Sequence, residues 1–339
     1  MENVREVVII GGGPAGLSAA VYLARANVRP LVIAGDPPGG QLMYTSEVEN
    51  FPSHRAIQGQ ELVMKMREQA IDFGAEVIDA NVTGLVTNTG NGVHEVHTSH
   101  TQMPTIRAKA VLIATGAKAL WIGIEAETRL RGKGVSACAT CDGFFFRNKN
   151  VVVVGGGDSA LEEALFLTKF AAHVTVIHRR DAFRASRIMQ DRVLHHEKIS
   201  VVWNAQVKDI EGDDRVSAVL LMVDGVEKRI EAQGVFVAIG HKPDTVLFTP
   251  HILLDKKGYV LTQSQMAERI YKGEDLSYLT EADQKTMRAR PFMASETSKA
   301  GIFAAGDCAD TAYRQASTAA GMGVAASLDI ERYLQNFTE

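Results

Sequence analysis

The chain has 339 residues, 46% hydrophobic and 22% charged, with 36 basic against 40 acidic side chains. At ~150 residues per domain that length predicts about two domains, and so apolar a composition excludes extended disorder. A net charge of −4 gives no electrostatic footprint for nucleic acid; no apolar run approaches the ~20 residues of a membrane helix, and three cysteines exclude a disulfide scaffold and predict a reducing, cytoplasmic compartment.

The charged start, Met1 to Glu6, runs directly into Val7-Val8-Ile9-Ile10, so no signal peptide is expected. That β-branched run ends in Gly11-Gly12-Gly13 and reads as a buried parallel strand. An alanine-rich stretch of helical spacing, Ala15–Ala26, and a second strand, Leu31–Ile33, complete a βαβ unit. Its turn, Gly11-x-Gly13-Pro14-Ala15-Gly16, fits the dinucleotide fingerprint. The first glycine makes the turn, the second lets the backbone approach a pyrophosphate, and the third lets helix and strand pack closely. Asp36 lies 20 residues beyond Gly16, where a ribose hydroxyl is usually held. A further strand, Val111-Leu112-Ile113-Ala114, ends at Gly116.

Cys138-Ala139-Thr140-Cys141 follows, with Asp142-Gly143 directly after it. A zinc site needs two further ligands at close spacing, which the solitary Cys308 and the adjacent His195-His196 do not offer, so no metal is expected. Two readings remain, an inert core pair and a redox dithiol. The second gains from its company, because a disulfide accepts two electrons from a reduced flavin. Asp142 reads equally as a proton donor to the released thiolate and as a turn residue.

The opening pattern then recurs without gaps at an offset of 144 residues. Val151–Val154 leads into Gly155-x-Gly157-Asp158-Ser159-Ala160, then a helix at Ser159–Phe170 and a strand at Thr175–Ile177. Where the first copy has Asp36, the second has His178-Arg179-Arg180 followed by Arg184 and Arg187. Guanidinium groups bind a 2′-phosphate that a carboxylate would repel, so the second site suits NADPH. Two more strands end in glycine, Val235–Ile239 at Gly240 and Gly301–Ala305 at Gly306-Asp307, and glycine there permits close cofactor approach.

The predicted fold is α/β, with two Rossmann-like nucleotide-binding domains, one inserted in the other. Residues 1–117 and 246–339 form the outer domain and 118–245 the inner one, with links near Lys118–Leu120 and His241–Thr245. Ser317–Leu328, rich in Ala and Gly, predicts a tightly packed helix.

Together these residues resemble the low-molecular-weight, bacterial-type thioredoxin reductases, class II pyridine nucleotide-disulfide oxidoreductases. The matching segments include Gly11–Gly16, Gly39–Leu42, Glu49–Pro52, Ser136–Phe145, Gly155–Ala160, His178–Ala185, Gly301–Asp307 and Tyr313–Ala316, in the family's order across nearly the whole chain. The resemblance implies FAD on the outer domain, NADPH on the inner one, and a homodimer. It implies FAD contacts at Gly39, Gly40, Gln41, Leu42, Asn50, Asp307, Arg314, Gln315 and Ala316, beside Gly11, Gly13, Pro14, Ala15, Gly16, Asp36, Ala114, Gly116 and Gly306. NADPH contacts are expected at Gly155, Gly157, Asp158, Ser159, His178, Arg179, Arg180, Arg184 and Gly240.

The implied reaction passes electrons from NADPH through FAD and the Cys138–Cys141 pair to oxidised thioredoxin, with Asp142 in the catalytic group. The runner-up is a related flavoprotein reducing another protein or small-molecule disulfide. The nicotinamide site and the cysteines share the inner domain while the flavin sits on the outer one, so rotation of the inner domain is expected; cross-linking the domains tests this by blocking turnover. Phe144, Phe145 and Phe146 offer an apolar docking patch with Arg131 and Lys133 nearby, at least one of the three being core. One departure is a connection about two dozen residues longer than the family's, Met266–Phe292, in which Thr280-Glu281-Ala282-Asp283 resembles a capping box.

Overall fold

The structure, a computed structural model, describes residues 4–45, 47–88, 92–274 and 291–335. It divides into two units, Met1–Lys118 with Lys242–Glu339, and Ala119–His241.

In chain order the first unit opens with β1 (Arg5–Ile10), α1 (Pro14–Arg25) and β2 (Leu31–Ile33), then α2 (Gly59–Asp72), β3 (Glu76–Ile78), β4 (Val82–Val86), β5 (His94–Thr98) and β6 (Thr105–Ile113). β1 is central because its whole apolar run is buried on both faces. Val7 and Ile9 join the cluster under α1, while Val8 and Ile10 join the cluster on the opposite face. The sheet order is β3-β2-β1-β6-β5-β4. The nine residues of β6 serve three neighbours. Parallel β1 lies along one edge, and antiparallel β5 pairs with its first half on the other.

The chain then passes through β7 (Ala117–Ala119) into the second unit, with α3 (Glu125–Arg129), β8 (Val135–Ser136), α4 (Ala139–Asp142), β9 (Asn150–Val154), α5 (Asp158–Leu167), β10 (His173–Ile177), α6 (Arg187–Leu194) and β11 (Ile199–Val202). An antiparallel meander follows, β12 (Ala205–Glu211), β13 (Ala218–Val223) and β14 (Val226–Glu231), then β15 (Gly234–Val237) and β16 (His241–Pro243). The parallel sheet runs β11-β10-β9-β15-β8. β9 repeats the arrangement of β1: Val151 and Val153 pack in the cluster that holds Leu161 and Ala164 of α5, and Val152 packs in the cluster built from the meander.

Back in the first unit come α7 (Gln263–Tyr271), β17 (Ile302–Ala304) and α8 (Ala316–Gln335). β17 pairs with β6 at Val111–Ile113, completing the second edge of that strand. A real capping box opens α7, where Thr262 accepts from the Gln265 N–H and Gln265 Oε1 accepts from the Thr262 N–H. The box expected at Thr280–Asp283 lies outside the described residues. Helix α8 runs seven residues past the expected Leu328. Ile330 and Leu334 continue its buried stripe, but buried Asp329 interrupts the apolar pattern in sequence. The fold tolerates that carboxylate because Oδ2 accepts from both the N–H and the hydroxyl of Ser295, at 2.9 and 2.7 Å. α8 lies against α1 so closely that a Cβ at Gly323 would strike the Ala15 carbonyl.

Candidate active site

The two glycine turns are built alike. The Gly11 N–H donates to the Ile33 carbonyl at 2.9 Å, and the Gly155 N–H donates to the Ile177 carbonyl at 3.1 Å. On the other side Ala114 donates to Ile10 at 2.8 Å and Ala238 to Val154 at 2.9 Å. Each turn is thus pinned between the ends of two neighbouring strands. Gly11 and Gly155 have φ of +124° and +157°, and a Cβ on either would meet the carbonyl of Ala114 or Ala238. The middle positions differ: a Cβ at Gly13 or Gly157 would find nothing of the described residues within 4 Å. The third positions are crowded again, Gly16 by the Gly11 carbonyl, while the methyl of Ala160 lies 2.6 Å from where a Gly155 Cβ would sit. The glycines that shape the turn are therefore enclosed, and the one meant to face a pyrophosphate is open. Gly13 and Gly157 are also the N-caps of α1 and α5, and neither helix has a side-chain cap. Their first N–H groups are available to an anion.

In the first unit Asp307, Arg314, Gln315 and Ala316 lie on or beside the loop between β17 and α8, and Asn50 meets it. Asp310 organises that loop, its Oδ1 accepting from Ala312 and Tyr313 and its Oδ2 from Arg314, each at 2.8 Å. It holds Arg314 at φ +51° and so delivers Gln315 to Asn50, whose Nδ2 donates to Gln315 Oε1 at 3.2 Å. Sequence reading missed Asp310; its signal is the Asp followed by three closely spaced backbone donors. Asp307 is different. Its Oδ1 is buried with no partner among the described residues, and burial, with Asp310 adding repulsion, raises its carboxyl to about 6. A ribityl or ribose hydroxyl would satisfy that oxygen, so the residues present fit FAD. Gly39 starts a short 3₁₀ turn, Gly40–Tyr44, that carries Gln41 and Leu42. Asp36 is exposed, and its backbone is fixed by Asn81, whose Oδ1 accepts from the Asp36 N–H at 3.1 Å.

In the second unit the loop after β10 lies along the second glycine turn. Arg179, Arg180 and Arg184 are exposed, and the Arg184 N–H donates to the Gly156 carbonyl at 2.8 Å. His178 is only 4% exposed. Its ring fills the space a Cβ at Gly156 would need and packs with Phe183 and Trp203 at centroid distances of 5.6 and 6.1 Å. Burial lowers its pKa, keeping the imidazole neutral. His178 thus supports the turn from beneath while the arginines face solvent. An open Gly157 beside exposed guanidinium groups fits NADPH. Gly240, at φ +123°, closes the strand end beyond β15.

Cys138 and Cys141 form a disulfide, with Cα atoms 5.3 Å apart. Cys138 caps α4, its Sγ accepting from the Cys141 N–H at 3.2 Å and lying 3.3 Å from Thr140 Oγ1. The Ser136 hydroxyl links the pair to Asp142. It accepts from the Cys138 N–H at 3.0 Å and hydrogen-bonds the Asp142 carboxyl. Burial raises the pKa of Asp142, favouring the proton-carrying form. Of the three phenylalanines, Phe144 and Phe145 are 51% and 38% exposed, whereas Phe146 is core. Phe144 packs on Phe170, and Arg147 lies 4.8 Å above the Phe144 ring. Arg131 stacks on Trp121 at 3.8 Å. Cys308 is fully buried, and desolvation pushes its thiol up to about 12, which leaves it inert.

A family model described as pyridine nucleotide-disulphide oxidoreductase matches residues 5–323. The chain is 46% identical over 336 residues to a thioredoxin reductase of Mycolicibacterium smegmatis, covering 98% of this chain and 97% of that protein. It is 45% identical to a bifunctional thioredoxin reductase/thioredoxin of Mycobacterium leprae, covering 98% of this chain and 66% of the longer protein. A solved thioredoxin reductase from Giardia duodenalis superposes with a TM-score of 0.85 at 36% identity, covering 98% of this chain and all of that one.

Proposed function

The chain belongs to the pyridine nucleotide-disulphide oxidoreductase family, and we propose that it is a thioredoxin-disulfide reductase using FAD and NADPH. The observation that carries this reading is a disulfide, Cys138–Cys141, in the same unit as an open glycine turn bordered by arginines.

FAD supplies a two-electron carrier between the pyridine nucleotide and the disulfide. The chain's residues divide the remaining work. Gly13 and the first N–H groups of α1 receive the FAD pyrophosphate, and Asp307 Oδ1 accepts a sugar hydroxyl. Gly157 and the start of α5 receive the NADPH pyrophosphate, and Arg179, Arg180 and Arg184 select the 2′-phosphate. Two electrons break the Cys138–Cys141 bond, and Asp142, whose pKa burial raises, delivers a proton to a departing sulfur. One thiolate of the pair then attacks the thioredoxin disulfide and expels a thioredoxin thiolate. The second sulfur gives up the proton it received and resolves the mixed disulfide, so Cys138–Cys141 is restored, and thioredoxin leaves as a dithiol with that proton and one from solvent. Exposed Phe144 and Phe145 offer thioredoxin an apolar contact beside the pair.

NADPH-driven thiol formation, measured on FAD-loaded protein with and without oxidised thioredoxin, tests the reading. A thioredoxin-dependent rate is expected. Its absence, with a rate on another disulfide, reassigns the chain to a related flavoprotein. The reading includes a homodimer in a reducing, cytoplasmic compartment; a monomeric mass in sedimentation would reject the dimer. Among the described residues no helix is long and apolar enough to cross a membrane.

A further inference from the structure

Asp158 stands at the first position of α5, where a carboxylate would oppose the phosphate that the helix N-terminus is built to receive. An acidic first turn stabilises any helix without a contact outside it, yet Asp158 Oδ1 accepts from the backbone N–H of Ser186, 28 residues away, at 2.8 Å. The contact falls on the loop that carries the arginines. In that loop Phe183 and Ala185 are buried, so the alternation turns Arg184 and Ser186 outward. Among the bonds that fix its course are these three. The Asn204 N–H donates to the Arg180 carbonyl at 3.2 Å, Arg184 donates to Gly156, and Ser186 donates to Asp158. The last is made by a side chain, as is the bond from Gln190 Nε2 of α6 to the Ala185 carbonyl at 2.7 Å; the Asp158 bond ties the far end of the loop to α5, just where Ser186 opens α6.

We infer that Asp158 is a positioning residue for 2′-phosphate selectivity: by accepting the Ser186 N–H it holds Arg184 against the second glycine turn. The inference rests on the NADPH reading above. The carboxylate's place at a phosphate site then has a reason, because the gain is realised through guanidinium placement rather than by contact with the nucleotide.

Calorimetric titration of the FAD-loaded full chain with adenosine 2′,5′-bisphosphate and with 5′-AMP tests it, since these ligands differ by the 2′-phosphate alone. Asp158→Ala is expected to weaken the bisphosphate about tenfold and to leave 5′-AMP within about twofold. Ser186→Pro removes the donor at a φ of −58° that already suits proline, and should reproduce the same loss. Asp158→Asn keeps an acceptor oxygen and should stay within about threefold of the native chain. The double variant Asp158→Ala/Ser186→Pro should be no worse than either single change. A native preference for the bisphosphate that survives Asp158→Ala overturns this inference alone, as does an equal loss for both ligands or an additive double variant. No preference in the native chain overturns the NADPH reading, and this inference with it.

Discussion

The ring of Phe146 meets that of Phe236 edge-on, with centroids 5.2 Å apart, while its neighbours Phe144 and Phe145 stand in solvent. Phe146 also occupies the space over Gly234, where a Cβ would come within 2.4–3.0 Å of its ring if the ring did not move, so the run of three splits between core and surface. Phe146→Ala should therefore destabilise the second unit by about 3–5 kcal/mol, read from the urea midpoint. Phe144→Ala and Phe145→Ala should leave that midpoint nearly unchanged and raise the KM for thioredoxin about tenfold. An unchanged KM would remove both from the docking surface.

Replacing Cys138 or Cys141 by Ser should abolish reduction of thioredoxin while flavin bleaching by NADPH persists, followed by stopped-flow absorbance. Loss of bleaching as well would show that the pair supports the fold rather than the relay. Asp142→Asn should slow the disulfide step about 10²-fold and spare flavin bleaching.

Two buried groups of the first unit are shifted in opposite directions. Asp307 is raised to about 6 by burial and Asp310, whereas burial lowers His94 to about 4, partly offset by the Ala300 backbone. For Asp307 the folded state disfavours the charge, so its contribution is full below pH 3.8 and is lost as pH rises through about 6. For His94 the neutral form is favoured, so its contribution is full above pH 6.5 and is lost as pH falls through about 4. In the FAD-free chain the two slopes oppose. Asp307→Asn should remove one, leaving stability that rises from about pH 4 to 6.5, and should add about 2 kcal/mol at pH 7. The same variant should lose FAD affinity. Urea titrations across pH would expose an unchanged profile, which contradicts the assignment.

Gln263 closes a buried polar cluster. Its Nε2 donates to Glu296 Oε2 at 2.6 Å, its Oε1 accepts from the Met293 N–H at 3.2 Å, and Glu296 Oε1 accepts from the Gly301 N–H at 2.9 Å. Gln263→Ala leaves a buried carboxylate oxygen and an amide without that partner, and should cost about 2–4 kcal/mol in chemical denaturation. A cost below about 0.5 kcal/mol would mean that water replaces the amide.

Much of the site was readable because its signals are local. The third-position contacts, Gly16 on Gly11 and Ala160 by Gly155, are local and leave a pattern in adjacent letters, whereas the clashes that enclose Gly11 and Gly155 come from Ala114 and Ala238. The Cys138-x-x-Cys141 spacing is equally local. His178 illustrates the limit, because its position after the second strand suggested a ligand contact while its ring lies buried beneath Gly156.

The sequence by itself determined the two βαβ units, the order of the fingerprints, the redox spacing and the basic loop, since each depends on near neighbours and on β-branched runs buried on both faces. Tertiary structure alone decided which phenylalanine is core and that Asp158 reaches Ser186. It also decided that Asp329 and Glu296 are held inside. Those outcomes depend on partners tens of residues apart, and whether a buried polar group is satisfied is fixed only once the chain has brought its partner within 3 Å.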